Sequence, residues 1–273
     1  MLHDIMVQVI LGLIIIILGI CIFRFYPLKK GDITSLVISS MMIMITLICK
    51  RFFTIPIPLF GLESLKVGIE YIPLMLAGFI LSPGYAFIIG LCSDLVGLLL
   101  VPTGFPFLGF TLTMILVCLI PSLVKEISKN MNETILKYGG ECLLVIMSII
   151  ACIYIYIMEG YSVSSTTVIL TYAQKIMLIS LVLILLFIYL GVIRWTKHKM
   201  NVNSKELSIW MLSVVLVEMI CTIALTPLWL ELMYGLPYVV SLCIRVIKEC
   251  FVLPIEIFVG YTLLKIINRV YKK

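Results

Sequence analysis

Six ionisable residues stand inside long apolar runs of this chain: Asp94, Glu218, Arg245, Lys248, Glu249 and Glu256. At membrane depth an acidic or basic side chain costs about 2.5–3.5 kcal/mol on insertion scales, so it pairs with an opposite charge or lines a polar cavity. On a helix turning about 100° per residue, Arg245, Lys248, Glu249 and Glu256 share one stripe, and Glu218, Thr222 and Trp229 share a face of another segment. Asp94 lies seven residues before Val101 and Arg245 seven after Tyr238, which puts both ~10 Å below one surface. Glu218 and Lys248 fall ~15–18 Å below the same surface. Depth therefore predicts Asp94–Arg245 and Glu218–Lys248 as partners. Such groups do one of two jobs: they fix helix packing as buried ion pairs, or they form a polar pocket for a solute.

Catalysis has less support. There is no HExxH, no paired catalytic aspartates, no His-Asp motif and no GxxxxGK[ST] phosphate loop. The two histidines, His3 and His198, sit at segment margins, and the nine cysteines are scattered without a CxxC pair. That pattern predicts no metal site, no disulfide framework and no bound cofactor.

Cations and aromatic rings gather at the ends of the apolar runs. Lys50 and Arg51 close one run and Lys66 opens the next, around Ile55-Pro-Ile-Pro-Leu-Phe-Gly. Phe105, Phe107 and Phe110 cluster in one loop, Tyr71 lies near a second, and Trp229, Tyr234 and Tyr238 surround a third. An interfacial belt accounts for the two tyrosines of the third loop. The phenylalanines suit it less, since belts favour Trp and Tyr, and they are candidates to stack on a ring.

The elements that must position these groups are membrane helices. Hydrophobic residues make up 63% of the chain and charged residues only 12%, against roughly 45–50% and about 25% in soluble domains. A span needs about 20 apolar residues. On that ruler nine spans are predicted: 5–25, 33–53, 66–81, 84–101, 106–124, 141–160, 167–193, 207–230 and 239–267. The third and fourth are short and joined by Ser82-Pro83-Gly84, as in a tight hairpin with one member tilted or incomplete. The first run lacks a basic n-region and a cleavage site, and reads as a helix instead of a signal peptide.

Loop charge sets the orientation. Arg24, Lys29 and Lys30 follow the first span, Lys125, Lys129 and Lys137 the fifth, Arg194, Lys197, Lys199 and Lys205 the seventh, and Lys265, Arg269, Lys272 and Lys273 form the tail. Alternating spans put all of them on one side, and basic loops stay cytoplasmic. The prediction is a multi-pass plasma-membrane protein with its amino terminus outside and its carboxy terminus inside. The +6 charge belongs to these loops and asks for no nucleic acid. Lys50, Arg51 and Lys66 are then on the disfavoured outer side, where they either snorkel to headgroups or serve a ligand.

The run from Ile69-Glu-Tyr-Ile-Pro through Cys92-Ser-Asp to Val101-Pro-Thr-Gly resembles the S components of energy-coupling factor (ECF) transporters, most closely the folate-type branch. Phe107-Leu-Gly-Phe-Thr-Leu, Arg51-Phe-Phe-Thr-Ile, Trp229-Leu-Glu-Leu-Met-Tyr-Gly-Leu-Pro-Tyr, Arg245-Val-Ile-Lys248 and Leu253-Pro-Ile are also similar to that branch. The resemblance covers roughly 33–127 and 207–270. It implies an all-α membrane protein with a six-helix core plus about three additional helices. Residues 1–32 form an extra helix, 33–127 the first four core helices with vitamin-binding loops, 128–206 an inserted pair, and 207–273 the last two core helices.

The resemblance further implies a vitamin-binding subunit, a transmembrane coupling protein and two ATPases as partners, and no enzymatic activity of its own. A folate-like ligand is favoured; other vitamins, nucleobase precursors, and a membrane scaffold or enzyme without transport role remain alternatives. The ligand ring would stack on Phe105, Phe107, Phe110 or Tyr71, and Asp94 or Glu218 would accept from its amino-pyrimidine edge. Arg51 and Lys66 would bind carboxylates, with Trp229, Arg245 and Lys248 completing the site. Ser39 and Ser40 are the candidates for the small-residue docking patch. Their four-spaced partners are Ile43 and Met44, and Thr226-Pro227 stands where the family has Asn-Thr; both depart from the pattern.

Overall fold

Prolines, glycines and the lengths of the apolar runs decide where the helices stop. The computed structural model describes residues 2–28, 31–59, 62–100, 106–157, 160–163, 166–169, 171–199 and 205–271. Helix α1, Leu2–Phe25, is apolar on every side and ends just before Tyr26-Pro27, because the residue preceding a proline avoids the helical region. Helix α2, Ile33–Phe52, begins at Asp32, whose carboxylate accepts from the Ser35 amide at 3.0 Å and its hydroxyl at 2.6 Å. Its 20 residues reach about 30 Å, the thickness of the hydrocarbon layer.

The third predicted span is corrected. Leu62–Val67 forms β2 of an antiparallel hairpin with β1, Ile55–Leu59, pairing Ile55 with Val67 and Pro56 with Lys66. Prolines at 56 and 58 and the β-branched residues around them suit an extended edge instead of a helix. What remains is α3, Tyr71–Ile80, whose 10 residues span only half a bilayer. It is buried from Ile72 to Phe79. Helix α4, Pro83–Leu100, starts on proline, which is tolerated in a first turn.

Helix α5, Leu108–Ile127, is the post against which α1, α3 and α4 pack. Small residues permit the approach: a Cβ on Gly78 would collide with the Cys118 carbonyl, and one on Gly90 with the backbone at Ile115. At the far end of α3, Ser122 donates to the Leu81 carbonyl at 3.0 Å and Lys125 to the Phe79 carbonyl at 2.6 Å. These bonds satisfy carbonyls that a helix end leaves without an intrahelical partner. Gln8 ties α1 to the start of α5 by donating to Pro106 O at 3.2 Å and accepting from Leu108 N at 3.1 Å.

The chain forms two units, Met1–Lys129 with Thr262–Lys273, and Asn130–Tyr261. In the second, α6 (Glu133–Ile157) packs with α7 (Tyr172–Lys199) and with α8 (Lys205–Val217). A second hairpin, β3 (Gly160–Val163) with β4 (Thr166–Ile169), lies between the predicted sixth and seventh spans, overlapping the last residue of one and the first three of the other. After α8 comes a π-helical segment, Glu218–Leu225, and then α9, Thr226–Tyr234, closed by Gly235 in the left-handed region at φ 64°. Helix α10, Tyr238–Tyr271, has 34 residues. Trp210 of α8 donates to the Ile257 carbonyl at 3.3 Å, over Gly260, where a Cβ would strike the indole.

Six helical stretches among the described residues are long and apolar enough to cross a membrane: Met6–Phe25, Ile33–Phe52, Pro83–Leu100, Leu108–Ile127, Tyr138–Ile157 and Lys205–Tyr234. Helix α7 offers a shorter apolar run, Tyr172–Ile188, and α10 breaks its own with Arg245, Lys248, Glu249 and Glu256. The outward faces of α2 and α7 carry exposed Leu36, Met44, Met177 and Phe187, as lipid-facing helices do. The architecture is that of an all-helical membrane protein, with two short hairpins added between helices.

Candidate functional site

The first unit builds a polar centre from three helices. Asp94 of α4 is buried, with only 3% of its surface exposed. Thr111, in the first turn of α5, donates to its Oδ2 at 2.7 Å. Lys50, in the last turn of α2, places its ammonium 3.6 Å from Oδ1. The carboxylate thus keeps one charge-assisted hydrogen bond and one opposite charge, the condition under which a buried acid stays tolerable. Gly97, one turn beyond Asp94, also borders the ammonium: a Cβ there would lie 3.7 Å from it, in ordinary van der Waals contact.

Two aromatic rings stand at the start of α5, close in sequence to Thr111. Phe107 sits at the extended residue that caps the helix and is buried, while Phe110 is half-buried. Their rings meet edge to face, with centroids 5.9 Å apart, the geometry the ring quadrupoles prefer. Phe105 lies outside the described residues. Tyr71 opens α3 half-buried, and Arg51 is exposed at the end of α2. Lys66 stands on β2 opposite Pro56.

Asp94 takes Lys50 and Thr111 as its partners, where depth counted from the loops predicts Arg245. Depth alone counted residues from a loop and ignored the cation that α2 brings in from the side. Thr111 was missed altogether. Its signal was present, since it sits four residues past Phe107 in the run Phe107-Leu-Gly-Phe-Thr-Leu.

The second unit holds an acidic cluster. Glu218, Glu249 and Glu256 are exposed by 1%, 0% and 1%, and Arg245 by 7%. Glu218, at the start of the π-helical segment, faces the carboxyl groups of Glu249 and Glu256 from α10. Lys248 lies 3.1 Å from Glu249 and close enough to act on Glu218. The ammonium predicted for Glu218 is therefore taken first by its chain neighbour. The Thr222 hydroxyl, buried in the same unit, has no hydrogen-bond partner among the described residues. Trp229 is buried nearby in sequence, on α9. The wider π turn, a feature common at functional sites, re-phases the residues after Glu218. No group of three His, Cys, Asp or Glu side chains suited to a metal ion occurs among the described residues.

The two serines separate. Ser39 is buried and bonded to the Ser35 carbonyl at 2.6 Å, so it is not available on an open face. Ser40 is exposed and bonds the Val37 carbonyl at 2.8 Å. Consecutive residues on a helix point about 100° apart, which is why one docking patch cannot hold both.

Comparison with known proteins adds the following. Residues 30–196 match the family model described as "ECF-type riboflavin transporter, S component". The match begins just before α2, leaving α1 outside, and runs through α6 into α7. The "Folate transporter FolT" of Clostridium novyi (strain NT) is 30% identical over 86 residues, 32% of this chain and 46% of that protein. The chain thus matches under half the length of that relative. A solved structure, "Crystal structure of FolT bound with folic acid", aligns with 85% of this chain and 92% of its own at a TM-score of 0.49 and 22% identity.

Proposed function

The chain belongs to the ECF-type riboflavin transporter S-component family, and on that premise we propose that it captures a folate-like vitamin at the outer face of the cell membrane. A transmembrane coupling protein and two ATPases then drive its delivery inward. The observation that carries the reading is the Asp94 centre: a buried carboxylate fixed by Lys50 and by Thr111, on the same first stretch of α5 as the Phe107–Phe110 pair. A pteridine ring offers flat faces for aromatic contact and an amino-pyrimidine edge that donates to a carboxylate. Its acidic tail suits the cations Lys50, Arg51 and Lys66 that end α2 and lie on β2. Within the second unit, considered by itself, Glu218, Arg245, Lys248 and Trp229 are the candidate ligand contacts.

Loop charge supports an outside amino terminus and an inside carboxy terminus. Exposed Ser40, with Leu36 and Met44 on the same helix, is the proposed docking face for the coupling protein. Segments 33–127 and 207–273 are the proposed substrate-binding core, with 1–32 and 128–206 added to it.

A flavin is the second reading, favoured by the description of the matching family. It too is a fused ring with a pyrimidine edge, but its tail is a neutral polyol. Tryptophan-fluorescence titration of the purified protein in detergent with folate, riboflavin and other vitamins separates the two. Saturable nanomolar-to-micromolar quenching by folate, weakened in Arg51→Ala or Arg245→Ala, supports the first reading; saturation by riboflavin alone replaces it with the second.

A further inference from the structure

Lys50 has an unusual position for a cation at a helix end. Its ammonium lies 3.6 Å from the nearer Asp94 oxygen, inside the reach of charge attraction but beyond a hydrogen bond. The aspartate's other oxygen already accepts from Thr111. The lysine side chain is 32% exposed while that of Asp94 is 4% exposed, so a fixed anion meets a cation whose side chain stays partly accessible. Three helices hold this arrangement: α2 supplies the lysine, α4 the aspartate and α5 the threonine. Among the described residues no acceptor completes a hydrogen bond to the ammonium.

We propose that Lys50 is the residue that selects an acidic ligand tail. Asp94 aims the ammonium, and a carboxylate on the ligand accepts the N–H bonds that Asp94 leaves. This rests on the reading of a folate-like ligand and sharpens it: a glutamate tail is recognised, whereas a neutral polyol tail gains nothing from Lys50. Arg51, the next residue, points about 100° away round the helix and is exposed. It serves at most as a second, weaker contact.

The test compares folate with its bis-amide, in which both tail carboxylates are amides, and with riboflavin. Each is titrated against the wild-type protein, Lys50→Met and Lys50→Arg in detergent. A charge-assisted bond corresponds to roughly 10- to 100-fold in affinity. Wild type is expected to prefer folate over the bis-amide by about that factor. Lys50→Met is expected to bind both at the bis-amide's affinity, and Lys50→Arg to restore the preference.

The proposal is overturned if Lys50→Met keeps the preference. It is equally overturned if that variant weakens folate and bis-amide alike, which is the signature of a lysine that only balances Asp94. If Lys50→Met does not fold, Lys50→Gln takes its place, and equal binding of folate and bis-amide by wild type already sinks the idea. Wild type that binds riboflavin and neither folate nor its bis-amide rejects the folate reading and Lys50's role together, whereas folate binding without tail discrimination rejects Lys50's role alone.

Discussion

Asp94 shows how a single acid is kept in an apolar bundle. It lies deep enough that an uncompensated charge would be costly, and it is held by one hydroxyl and one ammonium from different helices. Removing the hydroxyl is the clean perturbation. Thr111→Val keeps the shape and deletes a charge-assisted bond worth about 1.5–3 kcal/mol. Ligand affinity, read by fluorescence titration, is expected to fall roughly tenfold or more, with a lower melting temperature in detergent. Unchanged affinity would remove Asp94 from the binding site. Phe107→Ala deletes half of an edge-to-face pair worth about 0.5–1.5 kcal/mol, so a lower melting temperature in detergent is expected, with weaker ligand quenching in the same titration. The residue types were legible in the sequence; the partners were not. Asp94, the phenylalanines and the stripe on α10 announced themselves by type and spacing, but which cation reaches Asp94 depends on how α2 leans on α4.

Elements explain why. Composition and run length placed α1, α2, α4 and α5 to within a few residues, because a uniformly apolar run of about 20 residues has few alternatives in lipid. The same ruler failed over 66–81, where Pro56, Pro58 and the extended residues before Gly68 make a hairpin and leave α3 half length. It could not see the π-helical segment at Glu218–Leu225 either, since hydropathy carries no phase at that precision. Close approach of α3 to α5 depends on Gly78. Gly78→Val is expected to abolish a monodisperse folded species in detergent size-exclusion chromatography, while Gly191→Val, in a helix position with open space, leaves it intact. Lys125→Met strips the bond from the Phe79 carbonyl and is expected to lower stability by about 1–3 kcal/mol. A melting temperature equal to wild type would show that the α3 end does not need it.

At the scale of the whole molecule, loop charge makes a claim that chemistry can check. In a background without its nine cysteines, Ser162→Cys in the β3–β4 hairpin is expected to react with a membrane-impermeant thiol reagent on intact cells. Asn130→Cys, after α5, is expected to react only in opened membranes. The reverse pattern would invert the orientation and move Lys50 and Arg51 to the inner face. How α1 and the 128–206 segment contribute was not legible, because neither carries a spacing of reactive residues; the Gln8 bonds to Pro106 and Leu108 indicate that α1 steadies the start of α5, next to Phe107.

The central claim is that this chain holds a vitamin by itself. The most direct measurement is to purify it in mild detergent from cells grown on rich medium, denature it, and identify released small molecules by mass spectrometry. The account predicts one stoichiometric vitamin with a fused ring and an acidic tail, reduced in Thr111→Val. A protein that releases no vitamin, and that binds none when the same vitamins are added back, would contradict it.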